Sequence, residues 1–249
     1  MYINQSVLDK KVKRKKKKLV LFVMLLCCII SFIIIFKTDL FCIKTVEVSG
    51  NVLLSQEEII HASGITLGNQ IYKEKIKNVE IGLTQHPYIK FVEVKRKLPN
   101  KILIQIEERT EAAAIPFMGA YVFIDENGMI LKSELDSGNL KIIQGLEFDH
   151  FMEGEPLEVK DPEKLRKALE IVKYIDRMEI SIKNIDVSQS KNYVIRLTDT
   201  LICRVGEGNN IDYKLRALEK ILLDLKSKDI TRGVIDISYD GNPTYRPVD

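Results

Sequence analysis

The sequence predicts an α+β protein: a single N-terminal transmembrane helix, then a β-α-α-β-β module, then a second mixed α/β domain with a mostly antiparallel sheet. Three observations carry this. An unbroken apolar run, Leu19 to Phe36, follows a block of basic residues. Beyond it, residues 45–109 read in the order strand, helix, helix, strand, strand. The remainder alternates short strands with two amphipathic helices separated by polar turns, the pattern of an α+β domain.

Leu19 to Phe36 is 18 residues, which as a helix extends roughly 27 Å, close to the hydrocarbon thickness of a bilayer. The run leads into Lys37-Thr38-Asp39-Leu40-Phe41 without the small residues of a cleavage site, so it reads as a retained anchor and not a removable signal. Eight Lys/Arg residues precede it, and only Lys37 and Lys44 follow closely. That asymmetry predicts a cytoplasmic N-terminus and exported domains.

The net charge of +3 divides unevenly. Residues 1–18 hold eight basic residues against Asp9, leaving 30 basic and 34 acidic residues elsewhere. The basic block serves orientation and contact with anionic lipid, at ~1 kcal/mol per residue, and nucleic acid is not implied. Four cysteines make no disulfide framework: Cys27 and Cys28 lie in the span, and Cys42 and Cys203 read as small buried apolar groups. The spacing alone also permits a Cys42–Cys203 bridge. Neither CxxC, HExxH nor a Cys/His cluster occurs, so no metal or cofactor is expected.

The first domain opens with a strand in which Val46 and Val48 alternate with Thr45 and Glu47, broken at Gly50-Asn51. Ser55 and Glu58 form a capping box, and Leu54 and Ile59 are spaced for a hydrophobic staple. A second helix is predicted with Tyr72, Ile76, Val79 and Leu83 on one stripe, ending near His86 before Pro87. Two strands follow, separated by Leu98-Pro99-Asn100, and in the second Ile102, Ile104 and Ile106 alternate with Lys101, Leu103 and Gln105.

The second domain begins near Thr110 with a hairpin, Tyr121–Ile124 and Met129–Lys132, around Asn127-Gly128. Further strands are predicted around Ile142 and Leu157. Asp161-Pro162 starts a helix burying Leu165, Leu169, Val172 and Ile175. Three strands carry "IKNIDVS", "NYVIRLT" and "TLICRVGE", and a last helix aligns Leu215, Leu218, Leu222 and Leu225 before a final strand in "RGVIDISYDGNP". No internal repeat or low-complexity linker is visible.

Catalytic patterns are weak. His61, His86 and His150 lie in different settings, none beside a Ser or Cys in a nucleophile pattern. Ser188-Gln189-Ser190-Lys191 has the S-x-x-K spelling of penicillin-recognising enzymes, but it falls in a polar turn and no K-T-G strand accompanies it. Asp236 and Asp240 share a strand face at some 13 Å, too far apart for joint acid–base work at ~3.3 Å per residue. Binding is the better reading. The segment Gly233–Tyr239 alternates at the chain end, and Gly241, Pro243 and Pro247 after it stop pairing by its own tail, so it offers a terminal edge strand; from the residues alone the plainer reading is a core strand followed by a disordered tail.

The order of the first domain directly after an anchor resembles a POTRA domain. "VSGN", "LSQEEI", "SGI", "HPYI", "VKRKLPNKILIQIEER" and "FIDENGMIL" together resemble the bacterial FtsQ/DivIB cell-division family. The resemblance implies a basic tail at 1–18, an anchor at 19–36, a POTRA domain at 37–109, a family-type β domain at 110–241 and a short tail at 242–249. It implies a non-enzymatic divisome scaffold in the plasma membrane at the septum, with FtsB/DivIC-like and FtsL-like partners bound by strand addition. The partner residues carried over are Ile235, Ile237, Ser238, Tyr239 and Gly241, with Tyr239 as the aromatic anchor. Arg96 and Lys97 are contact candidates of the POTRA domain, for other division proteins. The rival readings are a POTRA-type export chaperone and a Ser188/Lys191 acyl enzyme of the cell wall.

Overall fold

The computed structural model describes residues 5–37, 39–239 and 241–248. Helix α1 (Gln5–Lys37) contains one stretch long and apolar enough to cross a membrane, Lys15–Ile34, with a mean hydropathy of 2.5 and none of it buried. The helix starts well before the apolar run, because lysines are good helix formers and nothing in the basic block interrupts the backbone hydrogen bonds. Two compact units follow from the contacts: residues up to Thr84 with Phe91–Glu107, and Gln85–Lys90 with the residues from Glu108 on.

In the first unit β1 (Thr45–Ser49) runs parallel to β3 (Lys101–Glu108), pairing Val46 with Ile102 and Val48 with Ile104. The third strand, β2 (Ile89–Lys97), lies on the other side of β3. Helix α2 (Gln56–Ser63) starts on the predicted box: the Glu58 amide donates to Ser55 Oγ at 3.2 Å, and the Ser55 amide to Glu58 Oε2 at 2.8 Å. Gly64 ends it in the left-handed conformation at φ 66°. Helix α3 spans Ile76–Thr84 and buries Val79 and Leu83. Tyr72 is therefore not on its stripe as predicted. The preceding turn is bent back by pairing with the segment after the anchor, where the Ile71 amide donates to Phe41 O. Ile71 is buried in its place and Tyr72 lies outside, its ring tilted against Phe41.

The second unit is one nine-stranded mixed sheet with two helices in its core. Its strands are β4 (Ala113–Phe117), β5 (Ala120–Ile124), β6 (Ile130–Glu134), β7 (Lys141–Gln144), β8 (Asn184–Asp186), β9 (Tyr193–Arg196), β10 (Leu201–Gly206), β11 (Gly233–Asp236) and β12 (Thr244–Arg246). Their spatial order is β12-β11-β10-β9-β8-β7-β4-β5-β6. Five of the ladders are antiparallel; β4–β7, β7–β8 and β10–β11 are parallel. Helices α4 (Pro162–Arg177) and α5 (Ile211–Ser227) share one apolar core with the sheet, contributing Ala168, Ile171, Val172 and Ile175, and Leu215, Leu218 and Leu225. Leu165 and Leu169 flank that core half-buried.

Three expectations are corrected here. β4 was not anticipated. The strand expected at Leu157 does not form; Leu157 is buried in a loop beside the isolated Met129–Pro156 bridge. A repeat, invisible by inspection, is present as β7-α4-β8-β9 and β10-α5-β11-β12. In each, a helix connects two parallel strands and an antiparallel strand follows. Ile185-Asp186-Val187-Ser188 and Ile235-Asp236-Ile237-Ser238 are equivalent. Asp186 Oδ1 accepts from the Ser188 amide at 2.9 Å and hydroxyl at 2.5 Å, and Asp236 Oδ1 from the Ser238 amide at 3.0 Å and hydroxyl at 2.6 Å. The Val187 amide donates to Gln144 O and the Ile237 amide to Arg204 O, each at 2.9 Å. Few side chains are common to the two halves, so the repeat is carried by backbone geometry that the composition does not display.

Candidate functional site at the end of the second sheet

The expected terminal edge strand is flanked on both sides. β11 pairs parallel with β10 and antiparallel with β12, matching Ile235 with Cys203 and with Tyr245. The tail does return onto the sheet, because Gly241 to Pro243 allow the chain to reverse and Tyr245 finds cover: its ring packs against the core and its hydroxyl donates to Arg232 O at 2.7 Å. The free edge is therefore β12, inside the segment assigned to a short tail.

The direction of that edge follows from the ladder. The amides of Gly233 and Ile237 donate across to β10, to Thr200 O and Arg204 O. Successive residues of a strand point their N–H and C=O to opposite sides, so Val234 and Asp236 face β12 and bond to Arg246 and Thr244. Tyr245 consequently turns its N–H and C=O outward. Pro243 and Pro247 flank it at the next outward positions and have no N–H to offer, a common means of blunting an exposed edge. Among the described residues 243–247, one outward donor remains, the Tyr245 amide.

The carried-over residues divide. Ile235 and Ile237 are core side chains and cannot touch a partner; Cys203, opposite Ile235, is fully buried, and burial pushes its thiol far up. Cys42 and Cys203 are both free thiols. Ser238 spends its hydroxyl on Asp236. Tyr239 is 80 % exposed, and Gly241 is exposed with open space around it. Asp240 lies outside the described residues.

Sequence reasoning missed Lys214. It is buried on α5, and its ammonium donates to Val205 O at 3.1 Å and Ser238 O at 2.9 Å, tying the end of β10 to the end of β11. One of several basic residues in a leucine-rich helix, it reads as a surface residue, and only the folded positions of Val205 and Ser238 bring two carbonyls within its reach. Lys214 lines a cleft of roughly 550 Å³ with Lys191, Arg204, Asp236, Ser238 and Tyr239.

The S-x-x-K serine is not set up as a nucleophile. Its hydroxyl donates to Asp186, its carbonyl accepts from Lys164 Nζ at 2.9 Å, and the motif lies in the β8–β9 turn, not at a helix start. In the first unit the Arg96 guanidinium is already engaged, donating to Ile71 O at 2.9 Å and Glu74 O at 2.5 Å. Lys97 remains exposed.

Burial works against the charged form of Asp236, but the Ser238 hydroxyl and amide, with Arg204 and Arg246, outweigh it and hold the carboxyl below its ordinary value. A depressed folded value stabilises above the unfolded value of about 3.9 and loses that contribution as pH falls through the lower folded value. Asp236→Asn is therefore expected to flatten the acid limb of a stability profile below about pH 4, measured by denaturant unfolding at stepped pH.

An N-terminal candidate membrane span, a β-α-α-β-β unit and a mixed-sheet domain with a blunted terminal edge define a chain of POTRA-bearing architecture. The profile of the POTRA domain, FtsQ-type, matches residues 41–109, and that of the cell division protein FtsQ/DivIB, C-terminal, matches residues 115–238. The chain belongs to the FtsQ/DivIB family of cell-division proteins. It is 31% identical over 215 residues to the cell division protein DivIB of Clostridium tetani, covering 84% of this chain and 80% of the relative. The DivIB of Clostridium botulinum strain Loch Maree is 30% identical over 214 residues, covering 84% and 83%. The cell division protein FtsQ of Geotalea daltonii is 27% identical over 215 residues, covering 83% and 76%.

Proposed function

We propose that this chain is a non-enzymatic scaffold of the division complex, held in the plasma membrane at the septum with its N-terminus cytoplasmic and both folded units outside. It binds FtsB/DivIC-type and FtsL-type partners by a short strand added to β12, with Tyr239, Ser238 and Gly241 as the neighbouring contacts. Ile235 and Ile237 support that surface from beneath.

The observation that carries this reading is the outward main chain of Tyr245 on an edge whose counterpart in the repeat is occupied. There, β9 takes β10 on its outer side in antiparallel register, Ile195 opposite Cys203. The equivalent position on β12 is free among the described residues, and an extended antiparallel segment suits it. Because prolines remove the flanking donors, main-chain pairing is short and side chains must supply much of the affinity, with an exposed tyrosine as the natural anchor.

Two measurements test it on the full chain in detergent. Tyr239→Glu is expected to weaken recovery of a DivIC-type partner by about tenfold or more, equivalent to about 1.4 kcal/mol, without changing the circular dichroism spectrum. The Tyr245 amide is expected to exchange fast alone and slowly in the complex. An amide whose exchange ignores the partner moves the contact away from β12.

A further inference from the structure

We propose that the end of the first unit nearest the anchor seats on the lipid headgroups around the exit of α1, as a collar of apolar and basic side chains that fixes how the unit stands on the membrane. The proposal rests on the reading of α1 as a bilayer span.

The connection is short and folded. The buried Ile43 lies six positions after Lys37, the last residue of α1, a reach of at most ~21 Å even fully extended. Asp39–Phe41 shortens it further by forming a 3-10 turn, and the Cys42 amide donates back to Asp39 O at 3.2 Å. Headgroups occupy roughly 5–8 Å on each side of the hydrocarbon, so this end of the unit starts at the lipid surface.

Three loops converge there. The segment after the anchor pairs with residues 68–71 through Ile43 N to Asn69 O at 2.8 Å and Ile71 N to Phe41 O at 2.9 Å. The β2–β3 turn joins them, since Asn100 O accepts the Lys44 amide at 2.8 Å. Parallel pairing makes β1 and β3 begin at this same end.

What the loops expose fits an interface. Leu40 is 50% exposed, Leu98 54% and Tyr72 43%, with the Phe41 ring tilted against Tyr72 at a centroid distance of 5.5 Å. Lys44, Lys73, Lys75 and Lys97 are exposed around them, while the acids of the same loops are Asp39 and Glu74. Aromatic rings with lysine stems and ammonium tips match the apolar-to-phosphate gradient of the headgroup layer. Arg96 holds the presenting turn from behind through Ile71 O and Glu74 O, so the collar is built on fixed backbone. The far end of β1, five residues away at ~3.3 Å each, carries Val52 in a separate exposed loop.

The chain has no tryptophan, so single-tryptophan variants report depth directly. Leu26→Trp, Tyr72→Trp, Leu98→Trp and Val52→Trp are placed in the full chain in nanodiscs of phosphatidylcholine and phosphatidylglycerol with quenchers at deep or headgroup positions. The expected result is deep quenching at position 26, headgroup-level quenching at 72 and 98, and none at 52. Adding Lys73→Glu and Lys75→Glu to Tyr72→Trp is expected to reduce its quenching in anionic discs. Quenching at 26 with none at 72 and 98 overturns the collar alone, and equal quenching at 52 overturns the orientation. No quenching at 26 overturns the anchor reading instead.

Discussion

Gly145→Ala is expected to destabilise the second unit by on the order of 3 kcal/mol, a left-handed backbone penalty plus a steric clash. Gly145 follows β7 at φ 88°, and a Cβ there would lie 2.2 Å from the Ser188 amide nitrogen and 2.5 Å from its Cα. Backbone cannot swing aside as a side-chain tip can. Moving Ser188 would disturb the turn in which its amide and hydroxyl both donate to Asp186. Gly206 is the counterpart in the second repeat, displaced by one residue because β10 bulges, with its nearest contact Ser238 O at 2.9 Å. Gly138→Ala is the control: it has φ 58° and nothing within 4 Å, so it carries only the conformational penalty of about 1–2 kcal/mol. Denaturant midpoints at constant m-value separate the two variants. Equal losses would mean that the 145–188 approach relaxes freely.

The elements that sequence reasoning placed were those whose termini carry their own chemistry. The Ser55–Glu58 box, the Asp161-Pro162 start, where Asp161 Oδ1 accepts from the Glu163 amide at 3.2 Å, and the Asn127-Gly128 turn at φ 80° all declare themselves locally. The misses lack a local signal. β4 is Ala-Ala-Ile-Pro-Phe, with no alternation, and its proline is tolerated because β7 pairs only with Ala113 and Ala114. β12 has three residues between two prolines, too few for a period to show. Its pairing is decided by the distant partners of Tyr245, the core and Arg232 O. The candidate site was accordingly half legible: an exposed tyrosine near the chain end could be found, but the true edge and the buried Lys214 brace depend on tertiary closure.

Arg109→Ala is expected to cost about 3–5 kcal/mol, because it removes the partner of a buried charge and does not simply delete a surface ion pair. Asp125 is 2% exposed and Arg109 15%, with Nη1 and Oδ2 at 2.7 Å. The second carboxylate oxygen accepts from the Asn127 and Met129 amides, both at 2.8 Å, so the same group shapes the β5–β6 turn. The Arg109 amide in turn donates to Tyr88 O at 2.8 Å. With the guanidinium gone, the carboxylate keeps two amide donors but no countercharge in a site that water scarcely reaches. Arg109→Lys is expected to recover only part of the loss, since a lysine lacks the planar fork. The double variant Arg109→Ala with Asp125→Asn isolates the pair: the amide side chain needs no countercharge and still offers an oxygen to one of the turn amides. The two changes should therefore be less than additive, with a coupling of about 1–3 kcal/mol in a double-mutant cycle from denaturant unfolding. Simple additivity would show that Asp125 draws its stabilisation from the turn amides, and that the arginine at the end of the "VKRKLPNKILIQIEER" run serves the fold only by filling space.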